Sequence, residues 1–371
     1  MAKIFFSLSG EGRGHASRVR AIVEHLRSEH DIVIYAPGEA YNFLNPAYHG
    51  SDIRVEEMAG LRFHYTASRR LAFGRTSREA IGYLRRLPSL VSSLTEAIRA
   101  HRPDLVISDF EPALPRAARK AGVPCVSIDH QNFLTTYDLS SLPLPLRLHA
   151  FYMGLIVRGY GQSPVHRVVS SFYFPPLRRG LQNVTQVGVL LRQEVVEAIP
   201  RNNGHLVVYL RRFAGENVLQ ALEGCGREVR VYGLGQMPPH RNLQFLPIDE
   251  AGFVNDLSSC DALICTAGNQ LVGEALHLGK PVFALPEARN YEQYINGHFL
   301  RQSAAGESAE LEQLDGARLA NFLNRLGEFR SKIDRQRING LPRTLHVIRR
   351  LIDNPRWLTH PETQPEFNPV V

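Results

Sequence analysis

The chain has 371 residues, 44% of them hydrophobic and 21% charged, with 43 Lys and Arg against 36 Asp and Glu and a formal net charge of +7. This composition excludes a disordered or fibrous chain, and the length suffices for two domains with a core each. Four scattered cysteines, Cys125, Cys225, Cys260 and Cys265, form no CxxC pair and no cysteine–histidine cluster, which speaks against a disulfide scaffold or structural zinc and suits a reducing compartment. The positive charge points to anionic partners such as nucleotide phosphates, an anionic acceptor or a membrane surface. Paired arginines, among them Arg85-Arg86 and Arg211-Arg212, also read as solvated faces.

Met1-Ala-Lys3 leads into a short apolar run, Ile4 to Leu8, which reads as a first strand rather than a targeting segment. The spacing of Val19, Ile22, Val23 and Leu26 predicts a helix over 16–28, and Asp31–Ala36 a second strand closed by Pro37-Gly38. A helical pattern covers Glu79–His101. Leu105–Ser108 is strand-like, Pro112–Ala121 helical, and Pro124–Ile128 strand-like. No apolar stretch reaches the about 20 residues of a spanning helix; the most suggestive, Leu142 to Tyr160, is broken by Pro143, Pro145, Arg147, His149 and Arg158.

The second half repeats the alternation. Strands are predicted at His205–Leu210, Val229–Tyr232, Asn242–Phe245, Asp261–Cys265 and Val282–Leu285, with helices at Asn217–Leu222, Glu250–Ser259, Gln270–Leu278 and Glu292–Ala304. The two series flank the turn-rich segment Pro175–Gly180. They predict an α/β protein of two Rossmann-like domains with parallel sheets, 1–180 and 181–355, and a polar tail, 356–371, expected to be poorly ordered. In such sheets ligands bind at the carboxyl ends of the strands, and two domains facing each other make a cleft.

Two motifs sit at such places. After the first strand comes Ser9-Gly10-Glu11-Gly12-Arg13-Gly14-His15 and then a helix, so the backbone can approach a ligand closely and the helix start offers N–H groups to an anion. Gly14 comes one position too early for a dinucleotide fingerprint, and Tyr35-Ala36-Pro37 brings no acidic residue to the end of the second strand. His15 is a candidate general base, and Asp109, at the end of the third strand, a candidate to fix its tautomer. The plainer alternatives are a helix-end histidine bonded to backbone and an N-cap aspartate before Pro112.

The second motif spans Thr266-Ala-Gly268-Asn269-Gln270, Glu274-Ala275, Gly279-Lys280-Pro281 and Glu292-Gln293 with Asn296. A small-residue turn leads into a helix whose amino end can face a diphosphate. Glu274 stands one turn in, where its carboxylate can accept from a ribose diol; alternatively it is an exposed helix carboxylate paired with Lys280 or His277. Arg211 or Arg212 could neutralise a diphosphate or simply lie on the surface.

This second block resembles the donor-binding signature of GT-B glycosyltransferases related to MurG and to the UDP-glycosyltransferases. The resemblance implies the GT-B fold, with Glu274 on the donor ribose, Glu292 and Gln293 on the transferred sugar, Thr266, Gly268 and Asn269 beside the diphosphate, and Gln270 also in the donor site. Gly12, Arg13, Gly14 and His15 resemble the acceptor-side loop, and Ser108–Pro112 and Asp129–Gln131 resemble a poorly characterised bacterial and archaeal branch. Val187–Leu190 resembles the interdomain linker strand. The chain departs from many relatives in having Thr266 where a histidine opens the donor turn.

Retaining relatives carry a second acidic residue eight positions ahead of the ribose carboxylate, where this chain has Thr266. The resemblance therefore implies inversion, with no Asp-x-Asp metal triplet, no cofactor, and a nucleotide sugar (UDP in first place) as substrate. The acceptor stays unnamed. A lipid-linked or anionic acceptor and a peripheral membrane contact fit the basic, apolar segments 62–86 and 142–160, and a cytoplasmic location is expected. A UDP-sugar 2-epimerase-like enzyme and a basic nucleic-acid-binding protein are the rival readings; no aromatic-rich binding motif favours the second, so nucleic acid is not expected as a partner.

Overall fold

Lys3–Leu8, apolar almost throughout, forms β1 and is buried on both faces, as a central parallel strand must be. A computed structural model describes residues 1–10, 13–61, 73–160, 163–210 and 214–364 (73–77 by backbone alone). The first domain contains β2 (Asp31–Ala36), β3 (Arg54–Glu57), β4 (Leu105–Asp109), β5 (Cys125–Asp129), β6 (His166–Ser170) and β7 (Val184–Val187). Among the described residues they form one sheet, β3-β2-β1-β4-β5-β6-β7, with every pair parallel. Its helices are α1 (Arg13–Leu26), α2 (Gly38–Tyr48), α3 (Phe73–His101), α4 (Ala113–Ala121), α5 (Phe133–Thr136) and α6 (Leu144–Tyr160).

The second domain opens with α7 (Gln193–Glu197). Its strands are β8 (Leu206–Tyr209), β9 (Val229–Tyr232), β10 (Leu243–Leu246), β11 (Ala262–Cys265), β12 (Val282–Ala284) and β13 (Gly306–Ser308), in the parallel order β10-β9-β8-β11-β12-β13. Helices α8 (Glu216–Glu223), α9 (Glu250–Ser259), α10 (Asn269–His277), α11 (Tyr291–Gln302), α12 (Gly316–Asn324), α13 (Leu326–Ser331) and α14 (Arg335–Ile338) cover it, and α15 (Leu341–Asp353) and α16 (Pro355–Thr359) follow. Two parallel-sheet, Rossmann-like α/β domains are thus present, as expected.

Their limits differ from 1–180 and 181–355. The first sheet takes in β7, beyond residue 180, because Val184–Val187 hydrogen-bonds to β6. The chain then returns at its other end: Leu341, Leu345, Val347, Ile348 and Leu351 of α15 join the core formed by Ile4, Phe6, Ile22 and Leu26. The expected loose tail is also partly built. Leu358 of α16 is buried, and Gln364 Oε1 accepts from Nδ1 of His166 at 2.8 Å; residues 365–371 lie outside the described part.

The two crossings between domains lie side by side. Val189 pairs with Asn339, and the Gly340 N–H donates to the Val189 carbonyl at 2.9 Å. A Cβ on Gly188 would overlap the Ile338 carbonyl, and one on Gly340 the Gly188 carbonyl, so both positions demand glycine. Beneath them an apolar core joins the domains, with Tyr173 stacked on Phe299 at 4.3 Å. Among the described residues no helix is long and apolar enough to cross a membrane.

Candidate active site

The register of β1 and β4 sets the acceptor side. Leu8 lies beside Asp109 in the sheet, so the loop after β1 and the last residue of β4 emerge together at the carboxyl edge. From the first turn of α1, His15 brings Nδ1 to 2.9 Å from Asp109 Oδ1. The aspartate does not cap α4. Glu111 takes that work, accepting from the N–H groups of Ala113 (2.6 Å) and Leu114 (2.9 Å).

A third member of this cluster lacked a sequence assignment. Arg18, one turn beyond His15 and 4% exposed, grips Asp109 with both arms: Nε donates to Oδ2 at 3.0 Å and a terminal N–H to Oδ1 at 2.8 Å. Burial alone would raise the Asp109 carboxyl, but the Arg18 cation, helped by His15, outweighs it and holds the group below the ordinary aspartate value. The same Arg18 nitrogen lies 2.9 Å from His15 Nδ1. Nδ1 therefore meets both an acceptor and a donor, and the tautomer with a free Nε2 lone pair is the one in which Nδ1–H donates to Asp109. The i, i+3 spacing of His15 and Arg18 is the sequence signal that could have found this residue.

The glycine loop faces the donor motif. A Cβ built on Gly14 would stand 3.8 Å from Gln270 Cβ, so the start of α1 and the start of α10 oppose each other across the cleft. Arg13 is exposed, with its guanidinium 5.8 Å from the centre of the Phe43 ring. Gly12, Arg211 and Arg212 lie outside the described residues.

On the donor side, Thr266 follows β11 and Gly268 caps α10 without a side chain, leaving the first N–H groups of the helix pointing at the cleft. Glu274 is buried, not exposed, and its partner is neither Lys280 nor His277. Arg192 donates Nε to Oε1 at 3.2 Å and a terminal N–H to Oε2 at 3.1 Å, and Gln270 Nε2 adds a bond of 3.2 Å. Lys280 instead reaches the Arg201 carbonyl and Asn202. Arg192 also reaches Glu250, which Arg20 of α1 holds from the other domain at 3.0 Å. No local signal announced Arg192, because only the domain crossing brings it to α10.

Other donor-side residues serve the architecture here. The Asn269 amide joins the domains, accepting from Phe172 N and donating to the Ser170 carbonyl, both at 3.2 Å. Gln293 is buried and holds Glu287 through its main-chain N–H (2.7 Å) and carboxylate (3.2 Å). Asn296 ties the donor turn at Ala267 to Tyr173. Glu292, 37% exposed, approaches His130 at 3.8 Å. Burial keeps His130 below the ordinary histidine value. Among the described residues no cluster of three His, Cys, Asp or Glu side chains is placed to hold a metal ion.

Two facing parallel-sheet domains, with a glycine-loop helix opposite the amino end of a second helix, define the GT-B class of glycosyltransferases. The chain belongs to glycosyl transferase family 1, whose model matches residues 2–327. It is therefore a glycosyltransferase. Among solved structures, MurG of Acinetobacter baumannii shares 15% identity at a TM-score of 0.61, covering 94% of this chain and 100% of its own. LpCGTa in complex with UDP shares 15% identity at 0.66, over 95% of this chain and 100% of its own. Arabidopsis thaliana UGT89C1, complexed with quercetin, shares 13% at 0.67, over 94% and 98%. At these identities the likeness is one of fold. A comparison with curated proteins finds no match.

Proposed function

We propose that this glycosyltransferase moves a sugar with inversion from a nucleoside diphosphate donor, UDP in first place, to an acceptor hydroxyl, using no metal ion and no cofactor. The observation that carries the reading is the placement of the His15–Asp109 pair opposite the amino end of α10. The acceptor oxygen attacks the anomeric carbon as the bond from that carbon to the diphosphate oxygen breaks. The hydroxyl proton passes to His15 Nε2, and Asp109 supports the imidazolium that forms. Charge growing on the leaving diphosphate meets the N–H groups at the start of α10. Glu274 is the ribose ligand, exchanging Arg192 for the diol, and Glu292 faces the sugar. Arg13 and Gly14 border the acceptor side, and a UDP-bound neighbour of the same fold supports the choice of nucleotide. Buried, unpaired Cys125, Cys260 and Cys265 support a cytoplasmic setting.

Calorimetric titration with UDP, dTDP and GDP, on wild type and Glu274→Ala, tests the donor assignment. Binding of one nucleotide, weakened tenfold or more in the variant (roughly one charged hydrogen bond), is expected. Folded protein that binds none of the three overturns the reading. The anomeric configuration of the product, read by NMR, decides inversion.

A further inference from the structure

An amphipathic helix normally turns its bulky apolar side inward. α6 does the reverse. It sits on the first domain through Ala150, Gly154 and Val157, and a Cβ at Gly154 would come 3.2 Å from the Leu134 carbonyl. Leu144, Leu148, Phe151, Tyr152, Leu155 and Ile156 point away from the protein, between 49% and 63% exposed. So many large apolar side chains on one helix exceed the scattered exposure of an ordinary surface. α6 contains no acidic residue, and Arg147 and Arg158 are exposed upon it. Nearby α3, whose Tyr83 lies beside Tyr160, adds exposed Ile81, Leu84 and Arg85.

We propose that α6 is a docking surface for an anionic lipid membrane, lying in the interface with its apolar face among the acyl chains and its arginines at the headgroups. Apolar area and cations together are the two contributions such a helix needs. A second copy of the chain fits less well. Helix-on-helix contact would bring Arg147 and Arg158 towards a copy of the same helix, which has no acid to pair with them, whereas anionic headgroups complement them.

The helix lies along the cleft mouth. His149 stacks on Tyr291, directly before Glu292. Docked in this way, the protein presents the cleft mouth at Tyr291 and Glu292 to the lipid surface, so the acceptor is a hydroxyl carried in or at the membrane. This last step rests on the transferase reading; the docking does not.

Vesicle flotation of the full chain tests the docking, with phosphatidylcholine vesicles and with vesicles that also carry phosphatidylglycerol. Wild type is expected to float with the anionic vesicles and much less with the neutral ones. Phe151→Glu with Leu155→Glu should lower partition roughly tenfold or more, and Arg147→Glu with Arg158→Glu should lower it by about fivefold per arginine. All these positions are exposed, so melting temperatures should stay at the wild-type value. Equal flotation of wild type and the Phe151→Glu, Leu155→Glu variant overturns the proposal, as does wild type that floats with neither vesicle. A wild-type dimer that the same variant splits, seen by light scattering, assigns the face to a second copy instead. Nucleotide titration on the same samples keeps a failure of docking distinct from a failure of the donor assignment.

Discussion

On the acceptor side of the cleft the candidate catalytic side chains hold one another, and Arg18 holds Asp109 with both arms from within the same domain. On the donor side the residues expected at the nucleotide hold the protein instead: Glu274 grips Arg192, Asn269 staples the two domains, and Gln293 braces the loop at Glu287. The first arrangement is complete before any substrate arrives. In the proposed donor role the second exchanges partners, so nucleotide binding would be where this architecture spends its conformational freedom. The contrast also separates two kinds of buried ion pair. Arg18–Asp109 sits behind the candidate base His15. Arg192–Glu274 occupies the place proposed for the ribose.

Substitutions can break that contrast. The largest effect is expected for His15→Ala and Asp109→Asn, which should lower kcat by about 10²- to 10⁴-fold while the nucleotide Kd stays within a factor of about two. A parallel loss of nucleotide affinity, seen by calorimetry, would erase the division between the two sides. Next comes Arg192→Met. It leaves Glu274 buried without its cation, which costs about 3 kcal/mol of stability and should appear as a lower Tm that saturating nucleotide partly restores. An unchanged Tm would show that the pair carries no strain worth relieving.

Glu274→Ala should weaken nucleotide binding by about 10- to 100-fold, with no matching loss of kcat at saturation. The smallest effect concerns pH. Burial pushes the Asp109 carboxyl up while Arg18 and His15 pull it below its ordinary value, and the pull wins. Its contribution to stability is therefore complete above about pH 4, the free aspartate value, and is lost as the pH falls through the folded pKa. In Arg18→Met burial dominates, so acid unfolding followed by circular dichroism should begin at a higher pH than in wild type. An unshifted acid transition would remove Arg18 from its place behind the catalytic pair.

Most buried strands were legible because they are apolar runs between glycines, prolines and amphipathic stretches: Lys3–Leu8, Leu105–Asp109 and Ala262–Cys265 needed only their own residues to declare themselves, whereas β6, opening with His166 and Arg167, did not. Two edge strands did not. Arg54–Glu57 is mostly polar and largely exposed, and Gly306–Ser308 is a strand only because β12 lies beside it. The return of α15 to the first core was equally hidden, since its apolar stripe fits any facing surface.

In the site, the convergence of His15 and Asp109 follows from a rule about strand ends, so it could be read from the sequence. Which atoms Asn269, Gln293 and Glu274 actually hold could not. Their partners, Ser170, Glu287 and Arg192, come from loops and crossings whose positions depend on the whole fold. Segment 142–160 was legible as basic and apolar, but the helix it forms, α6, escaped for a related reason. Pro143 and Pro145 stand at its first turn, where proline begins a helix rather than ending one, and its outward apolar face inverts the usual pattern.

The return of α15 gives the molecule an order of construction. On a growing chain the first sheet and α1 emerge early, yet Ile22 and Leu26 gain their covering from Leu345, Ile348 and Leu351 only after the whole second domain has been made. The domain that is translated first is thus the one that is finished last. Until then it carries an open apolar groove, and a ribosome-released fragment ending before Leu341 should behave as an aggregation-prone chaperone client, although both residues of the candidate pair, His15 and Asp109, are already made.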